Sequence, residues 1–396
     1  MITARSEPAV LIANGTVIDA DGIRPDSWVL IRGGQIVTTG SGAHPAPAAT
    51  VLVSLPDRTI LVPGFIDIHC HGGAGHGIDD PTSSIESALA LHRQHGTTRT
   101  VASLVTAPVE VLEERLDTLR RLQTSVPGLL GTHLEGPFLS RTQAGAHRLA
   151  HVLGPDLNVL RRLIAAADGT LRQLTVAPEL AGADALIDAA LEADVLVAIG
   201  HTNARYEQAR AAFDRGARLL THACNAMPGL HHRDPGPVAA AVDDPRVLLE
   251  VIADGHHLHP SMLRLLHQLA PRRVATVTDA MAAAGCTDGA FLLGTEPVTV
   301  SGGQARTATG TLAGSTTTQD EELRVLLAAG VDAVSAVASL TSVPAGLLGL
   351  AATHGRIAAG MVADVVALDA AHTVTHVWLD GRAVVSPGGS QHDWPA

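Results

Sequence analysis

The sequence predicts an α/β fold: a (β/α)8 TIM-type barrel with a small β-sandwich domain formed by the N- and C-terminal segments. Three observations carry this expectation. Short apolar runs alternate with helical patterns through the middle of the chain, as a parallel sheet covered by helices requires. Five of those runs end in ligand or acid–base side chains, namely His69 with His71, then Glu135, His201, His222 and Asp279. Both ends of the chain read instead as short strands joined by turns. A barrel of parallel strands carries its strand ends to one rim, where those side chains would meet.

At the N-terminus, VLIANGTVID has Asn14-Gly15 in a hairpin-turn position, and WVLIRGGQIVTTG repeats the pattern around Gly33-Gly34. Near the C-terminus, VADVVALD and HTVTHVWLDGRAVV look similar, with Asp380-Gly381 at a turn. Each end is short for independent stability, so the two are expected to share one domain, residues 1–61 with 356–396. The catalytic barrel is expected over 62–355, from eight strands. These are Phe65–His71, Thr98–Thr106, Leu129–Glu135, Leu171–Glu179, Val195–His201, Arg218–Cys224, Val247–Ala253 and Val274–Asp279. Helical spacing follows nearly all of them. It runs over Val109–Gln123, Asn158–Ala167, Ala183–Glu192, Arg205–Arg215, Ser261–Leu269 and Asp320–Ala329, and is weakest over Pro235–Val242. Ser83-Ser84-Ile85-Glu86 resembles a capping box for a helix that stops near Gly96. Gly285–Thr311 interrupts the eighth unit as a hairpin-bearing insertion.

Composition excludes several functions. A chain of 396 residues, 46% hydrophobic, can build one large core and a smaller domain. A formal net charge of −12 argues against a nucleic acid or an anionic membrane as partner. No apolar stretch reaches about 18 residues, so no spanning helix is expected. Residues 1–20 hold only the short apolar run AVLIA and do not read as a secretory signal. The three cysteines (Cys70, Cys224, Cys286) are widely spaced and imply no disulfide framework. A cytoplasmic location is therefore expected. All 27 basic residues are arginine. Without lysine there is no Schiff base, no pyridoxal-phosphate anchor, no Walker A loop and no carboxylated lysine bridging two metals.

The polar residues at the strand ends point to a metal. Alternation along a strand puts His69 and His71 on one face and turns Cys70 away. Glu135 precedes Gly-Pro, which cannot continue a strand, and its carboxylate suits one ion or a bridge between two. A lone His201 or His222 would read as a satisfied core residue. Together with Glu135 they make a three-ligand set with an open position for water. Asp279 can take a proton from such a water and return it to a leaving group. Arg233, His231-His232, Asn225-Ala226, His256-His257 and His147 lie in loops after strands. As a group they offer donors to a sugar phosphate.

The segments PGFIDIHCHGGAG, HLEGPFLS…GAH, TVAPE, GHTNA, THACNAMPG…R, ADGHH, VTDAM and GTLAGS resemble, in their order, the N-acetylglucosamine-6-phosphate deacetylase family of the amidohydrolase superfamily. The resemblance runs from about Val62 through Asp369. It implies hydrolysis of the acetamide of N-acetylglucosamine 6-phosphate to glucosamine 6-phosphate and acetate, by a metal-bound hydroxide. It places the main ion on Glu135, His201 and His222, and makes Asp279 the general base and then the acid. Some members lack His-x-His and use one ion; His69 and His71 here leave room for a second, bridged by Glu135, so the resemblance implies one or two ions per subunit. Zinc is the first expectation for the metal, with iron, cobalt or manganese also acceptable to these ligands. His147 would contact the sugar near its acetamide, and Ala146 would bind substrate beside it. Asn225, Ala226, Asp254, His257, Leu312, Ala313 and Gly314 would line the rest of the pocket. Arg233 would reach the phosphate across a homodimer interface. The stretch Thr316–Thr318 departs from a smaller, more apolar run in the family. Two rival readings share the barrel: an amidohydrolase acting on a cyclic amide or an N-acyl amino acid, and a scaffold that has lost catalysis.

Overall fold

The computed structural model describes residues 9–45, 50–79 and 82–386. The first eight residues of the segment read for a secretory signal lie outside this range, and the side chains of 83 and 84 in the expected capping box lie outside what is described. The chain divides into two compact units. One comprises the chain up to Ile66, Arg93–Thr98 and the chain from Asp332 on; the other comprises Asp67–His92 and Arg99–Val331.

The first unit is built on one sheet from both ends of the chain. Its N-terminal strands are β1 (Ala9–Asp19), β2 (Gly22–Arg32), β3 (Gln35–Ser41) and β4 (Thr50–Pro63). Asn14-Gly15 is not a turn. Both residues lie inside β1 at a register shift, with Asn14 at φ 69°, so the positive φ serves a bulge. Leu61 packs so closely there that a Cβ at residue 15 would lie 2.7 Å from its Cδ1, which only glycine avoids. Gly33-Gly34 does form the tight turn joining β2 to β3.

The barrel strands follow in chain order. They are β5 (Phe65–Cys70), then, after the two-residue pair β6 (Gly72–Gly73) and β7 (His76–Gly77), β8 (Thr97–Leu104), β9 (Leu129–Glu135), β10 (Leu171–Val176), β11 (Leu196–Ile199), β12 (Leu219–Leu220), β13 (Leu248–Val251) and β14 (Val274–Thr276). Each is followed by one of α1 (Thr82–Gln94), α2 (Val109–Leu122), α3 (Leu157–Ala167), α4 (Ala183–Glu192), α5 (Tyr206–Arg215), α6 (Gly236–Asp243), α7 (Pro260–Leu269) and α8 (Gln319–Ala328). The eight strands pair in the order β14-β13-β12-β11-β10-β9-β8-β5. An isolated parallel bridge between Cys70, the last residue of β5, and Ala280, beyond the end of β14, nearly closes the barrel. The expected insertion is a three-stranded meander, β15 (Gly289–Leu293), β16 (Glu296–Ser301) and β17 (Gln304–Thr307). It packs Val298, Val300 and Ala305 against Met281 and Ala313.

Two further helices, α9 (Ala333–Leu340) and α10 (Ser342–Leu347), belong to the first unit. There β18 (Val365–Leu368), β19 (Val374–Leu379) and β20 (Arg382–Val385) complete the sheet in the order β20-β19-β18-β4-β1-β2-β3. Ile12, Val29, Ile31, Leu61, Val365 and Trp378 fill its core, so residues from both chain ends bury one another. No helix of the described residues is long and apolar enough to cross a membrane.

Candidate active site

Every expected barrel strand forms, but most end earlier than the apolar runs suggest. Glu135 closes β9, whereas His201 and His222 each stand two residues beyond their strand and Asp279 three. These three residues have φ of 45°, 28° and 46°. A left-handed step ends the ladder and swings the side chain across the rim, at a backbone cost of roughly 1–3 kcal/mol each that the surrounding packing must hold. Asp279 is gripped on both sides: its N–H donates to His69 O (2.9 Å), and its carbonyl accepts from Ser315 N (2.7 Å). Gly314, at φ 66°, allows that grip, since a Cβ there would lie 2.8 Å from Asp279 O.

The side chains converge. Glu135 Oε1 lies 3.0 Å from both His201 Nε2 and His222 Nε2, and these nitrogens are 3.0 Å apart. His69 Nε2 and His71 Nε2 are also 3.0 Å apart, which places both imidazoles on one face. His71 Nε2 lies 3.2 Å from Glu135 Oε2 and 3.2 Å from Asp279 Oδ1. Cys70 points away into the core, and burial pushes its thiol up to about 12. His201 Nδ1 donates to Gln143 O (2.8 Å), so its Nε2 lone pair faces Glu135. His147 has the opposite tautomer. Its Nδ1 accepts from the backbone N–H of Thr106 (3.2 Å), leaving Nε2–H to face Glu135 Oε2 at 3.3 Å.

The electrostatics match a cation site. Burial would raise the Glu135 carboxyl, but His69 and His147 outweigh it and hold it well below the usual carboxylate range. Burial is likewise overcome at Asp279, whose pKa is lowered first by His69. Burial lowers His71, yet hydrogen bonds from its imidazole to Asp279 and Glu135 carry it up to about 9. Two buried carboxylates thus demand positive charge from the imidazoles around them. A divalent ion answers that demand, and mixed nitrogen and oxygen donors at one point suit it. The residues present fit such an ion.

A cavity of about 640 Å³ opens above this cluster. Ala146, His147, Asn225, Ala226, His257, Leu312 and Gly314 line it beside Glu135, His201, His222, His71 and Asp279. Asp254 stands behind His257, whose Nδ1 it meets at 2.7 Å, and itself lines a neighbouring cavity with Thr316 and Thr317. Ala313 is buried behind the wall with Met281, and Arg233 lies on an exposed loop away from the lining. Arg141, Gln143 and Arg306 line the cavity without having stood out in the sequence. Nothing in their local pattern separates them from ordinary loop and strand residues.

Residues 60–384 match the Amidohydrolase family, and the chain belongs to it. Its relatives narrow the chemistry. The N-acetylgalactosamine-6-phosphate deacetylase of Escherichia coli O157:H7 is 40% identical over 337 residues, covering 84% of this chain and 89% of that protein. The N-acetylglucosamine-6-phosphate deacetylase of Bos taurus is 36% identical over 398 residues, covering 96% and 97%. Among solved structures, the N-acetyl-D-glucosamine-6-phosphate deacetylase of Mycobacterium smegmatis, in complex with N-acetyl-D-glucosamine-6-phosphate, aligns at a TM-score of 0.91. It is 40% identical and covers 96% of this chain and 100% of that one.

Proposed function

We propose that the protein hydrolyses the acetamide of N-acetylglucosamine 6-phosphate to glucosamine 6-phosphate and acetate. One observation carries this reading: Glu135, His201, His222 and Asp279 meet beneath a sugar-sized cavity, in a chain akin to deacetylases of such sugars. Glu135, His201 and His222 would hold the main divalent ion, and His69 and His71 would share Glu135 with a second. Zinc is the first choice for these donors, and iron, cobalt or manganese suit them too. When bound, the ion polarises the amide carbonyl and acidifies water. Asp279 takes the proton as water oxygen bonds to the amide carbon. It returns that proton to the sugar nitrogen as the C–N bond breaks. His147 donates from Nε2 toward the acetamide oxygen, its tautomer fixed by Thr106 N–H. Asn225, Ala226, His257, Leu312 and Gly314 with Ala146 bound the sugar, Asp254 orients His257, and Ala313 backs the wall. Arg233 serves the phosphate of a neighbouring subunit in a homodimer, in the cytoplasm.

A second substrate has specific support, because the Escherichia coli relative is named for the galacto epimer. Acetate release should be measured on both N-acetylhexosamine 6-phosphates and on unphosphorylated N-acetylglucosamine. We expect the gluco 6-phosphate to give the highest kcat/KM. Preference for the galacto epimer would move the assignment to it, and equal turnover of the unphosphorylated sugar would sink both.

A further inference from the structure

Glu250 is a charged residue inside the apolar strand β13, and its side chain is 0% exposed. An ionised carboxylate in that position costs free energy unless its oxygens are fully used. They are. Oε2 lies 3.2 Å from His69 Nδ1 and accepts the backbone N–H of His222 at 3.2 Å. Oε1 accepts from Gln173 Nε2 at 3.0 Å.

We infer that Glu250 is a positioning residue for the metal ligands, setting the ring of His69 and the backbone of His222 through one carboxylate oxygen. The inference rests on the metal reading above. A carboxylate cannot donate, so the hydrogen between Glu250 and His69 sits on Nδ1. The His69 Nε2 lone pair then points at the site, 3.4 Å from Asp279 Oδ1 and 3.6 Å from Glu135 Oε1. The other ligand imidazoles are backed differently. His201 Nδ1 meets a neutral carbonyl, and His71 Nδ1 and His222 Nδ1 are buried without a hydrogen-bond partner. His69 is therefore the ligand whose basicity a full negative charge enhances. His222 belongs to the other ligand set, so Glu250 joins the two sets from behind.

The test uses the full-length protein and the variants Glu250→Gln and Glu250→Leu. Gln keeps the shape and can still accept from His69 and His222 through one oxygen; its amide N–H then faces Gln173, which pairs with it once its own amide turns over to present Oε1, buried and unpartnered in the wild type. Three quantities are read: zinc dissociation constants by chelator competition, the visible spectrum of the cobalt-loaded protein, and the melting temperature of the metal-free protein. We expect zinc to bind about 10-fold more weakly to the Gln variant and up to about 100-fold more weakly to the Leu variant. The cobalt spectrum should shift, while the metal-free Gln variant melts like the wild type. Unaltered zinc affinity and cobalt spectrum in the Gln variant overturn the inference even if Leu fails to fold. So does a drop in metal-free melting temperature with zinc affinity intact, which marks a purely structural role. Weakened zinc binding in a protein that, as wild type, releases no acetate leaves the Glu250 role standing and removes the substrate assignment.

Discussion

Asp279 combines three constraints in one residue. Its backbone is left-handed at φ 46°, its carbonyl and N–H are both tied, and its carboxylate faces His69 and His71. The ties fix the direction of the carboxylate before any substrate arrives, which is what a proton acceptor needs. Asp279→Asn keeps the size and the backbone bonds but cannot hold the proton. Turnover should fall by about 10²–10⁴-fold, with zinc content measured on the same sample unchanged. Near-normal turnover would remove Asp279 from the role. The convergence of Glu135, His201, His222, His69, His71 and Asp279 could be anticipated because each ends an apolar run, and ionisable side chains at five such ends are conspicuous. Glu250 was just as visible in the run VLLEVIA, as a carboxylate with no reason to be there. Its signal is interruption within a strand rather than position at its end. Arg141 and Arg306 carried no such signal, because arginine in a loop or on a meander strand is ordinary.

Among the elements, the barrel was legible because burial on both faces leaves a continuous apolar run, and the helices because their apolar stripes repeat at 3.6 residues. Strand ends were less legible. A positive φ at His201, His222 or Asp279 leaves no trace in hydropathy, so the runs overshoot the ladders. The Asn14 bulge was hidden for a related reason: Asn-Gly permits positive φ in a turn and in a bulge alike. Links between elements are equally silent in sequence. Asp244, just after α6, accepts from Arg246 Nη2 (2.6 Å) and Nε (2.9 Å) and from Arg210 Nη1 of α5 (3.4 Å), with its side chain 1% exposed. The Arg246 guanidinium holds this carboxyl well below the ordinary value. The folded pKa lies under the unfolded one, so the linked stability is present above about pH 4. It drains away as the pH falls toward the folded value. Asp244→Asn has no proton to gain there. Its urea midpoint should therefore decline less steeply than that of the wild type between about pH 5 and pH 3. Parallel declines would show that the Arg246 pair carries no acid sensitivity.

On the scale of the whole molecule, the acidic balance of −12 leaves an anionic substrate to be met by local cations. Arg141 and Arg306 stand in the cavity wall, while Arg233 does not. If Arg233 serves a second subunit, two inactive variants should rescue each other. Asp279→Asn and Arg233→Ala, mixed under conditions that let subunits exchange, should recover activity, because a hybrid dimer keeps one intact site. No recovery, with hybrid dimers demonstrated by mass, would place Arg233 in the site of its own subunit rather than in its neighbour's. The architecture also bears on how the chain is made. Strand β4 pairs Val62 with Val366 and Pro63 with Val365, so its neighbour is synthesised about 300 residues after it. Until then β4 presents an unpaired edge in the nascent chain, a natural client surface for a holdase chaperone. A stop codon shortly after α10 would strand that edge permanently, and such products should be recovered as aggregates even though every barrel strand had been translated.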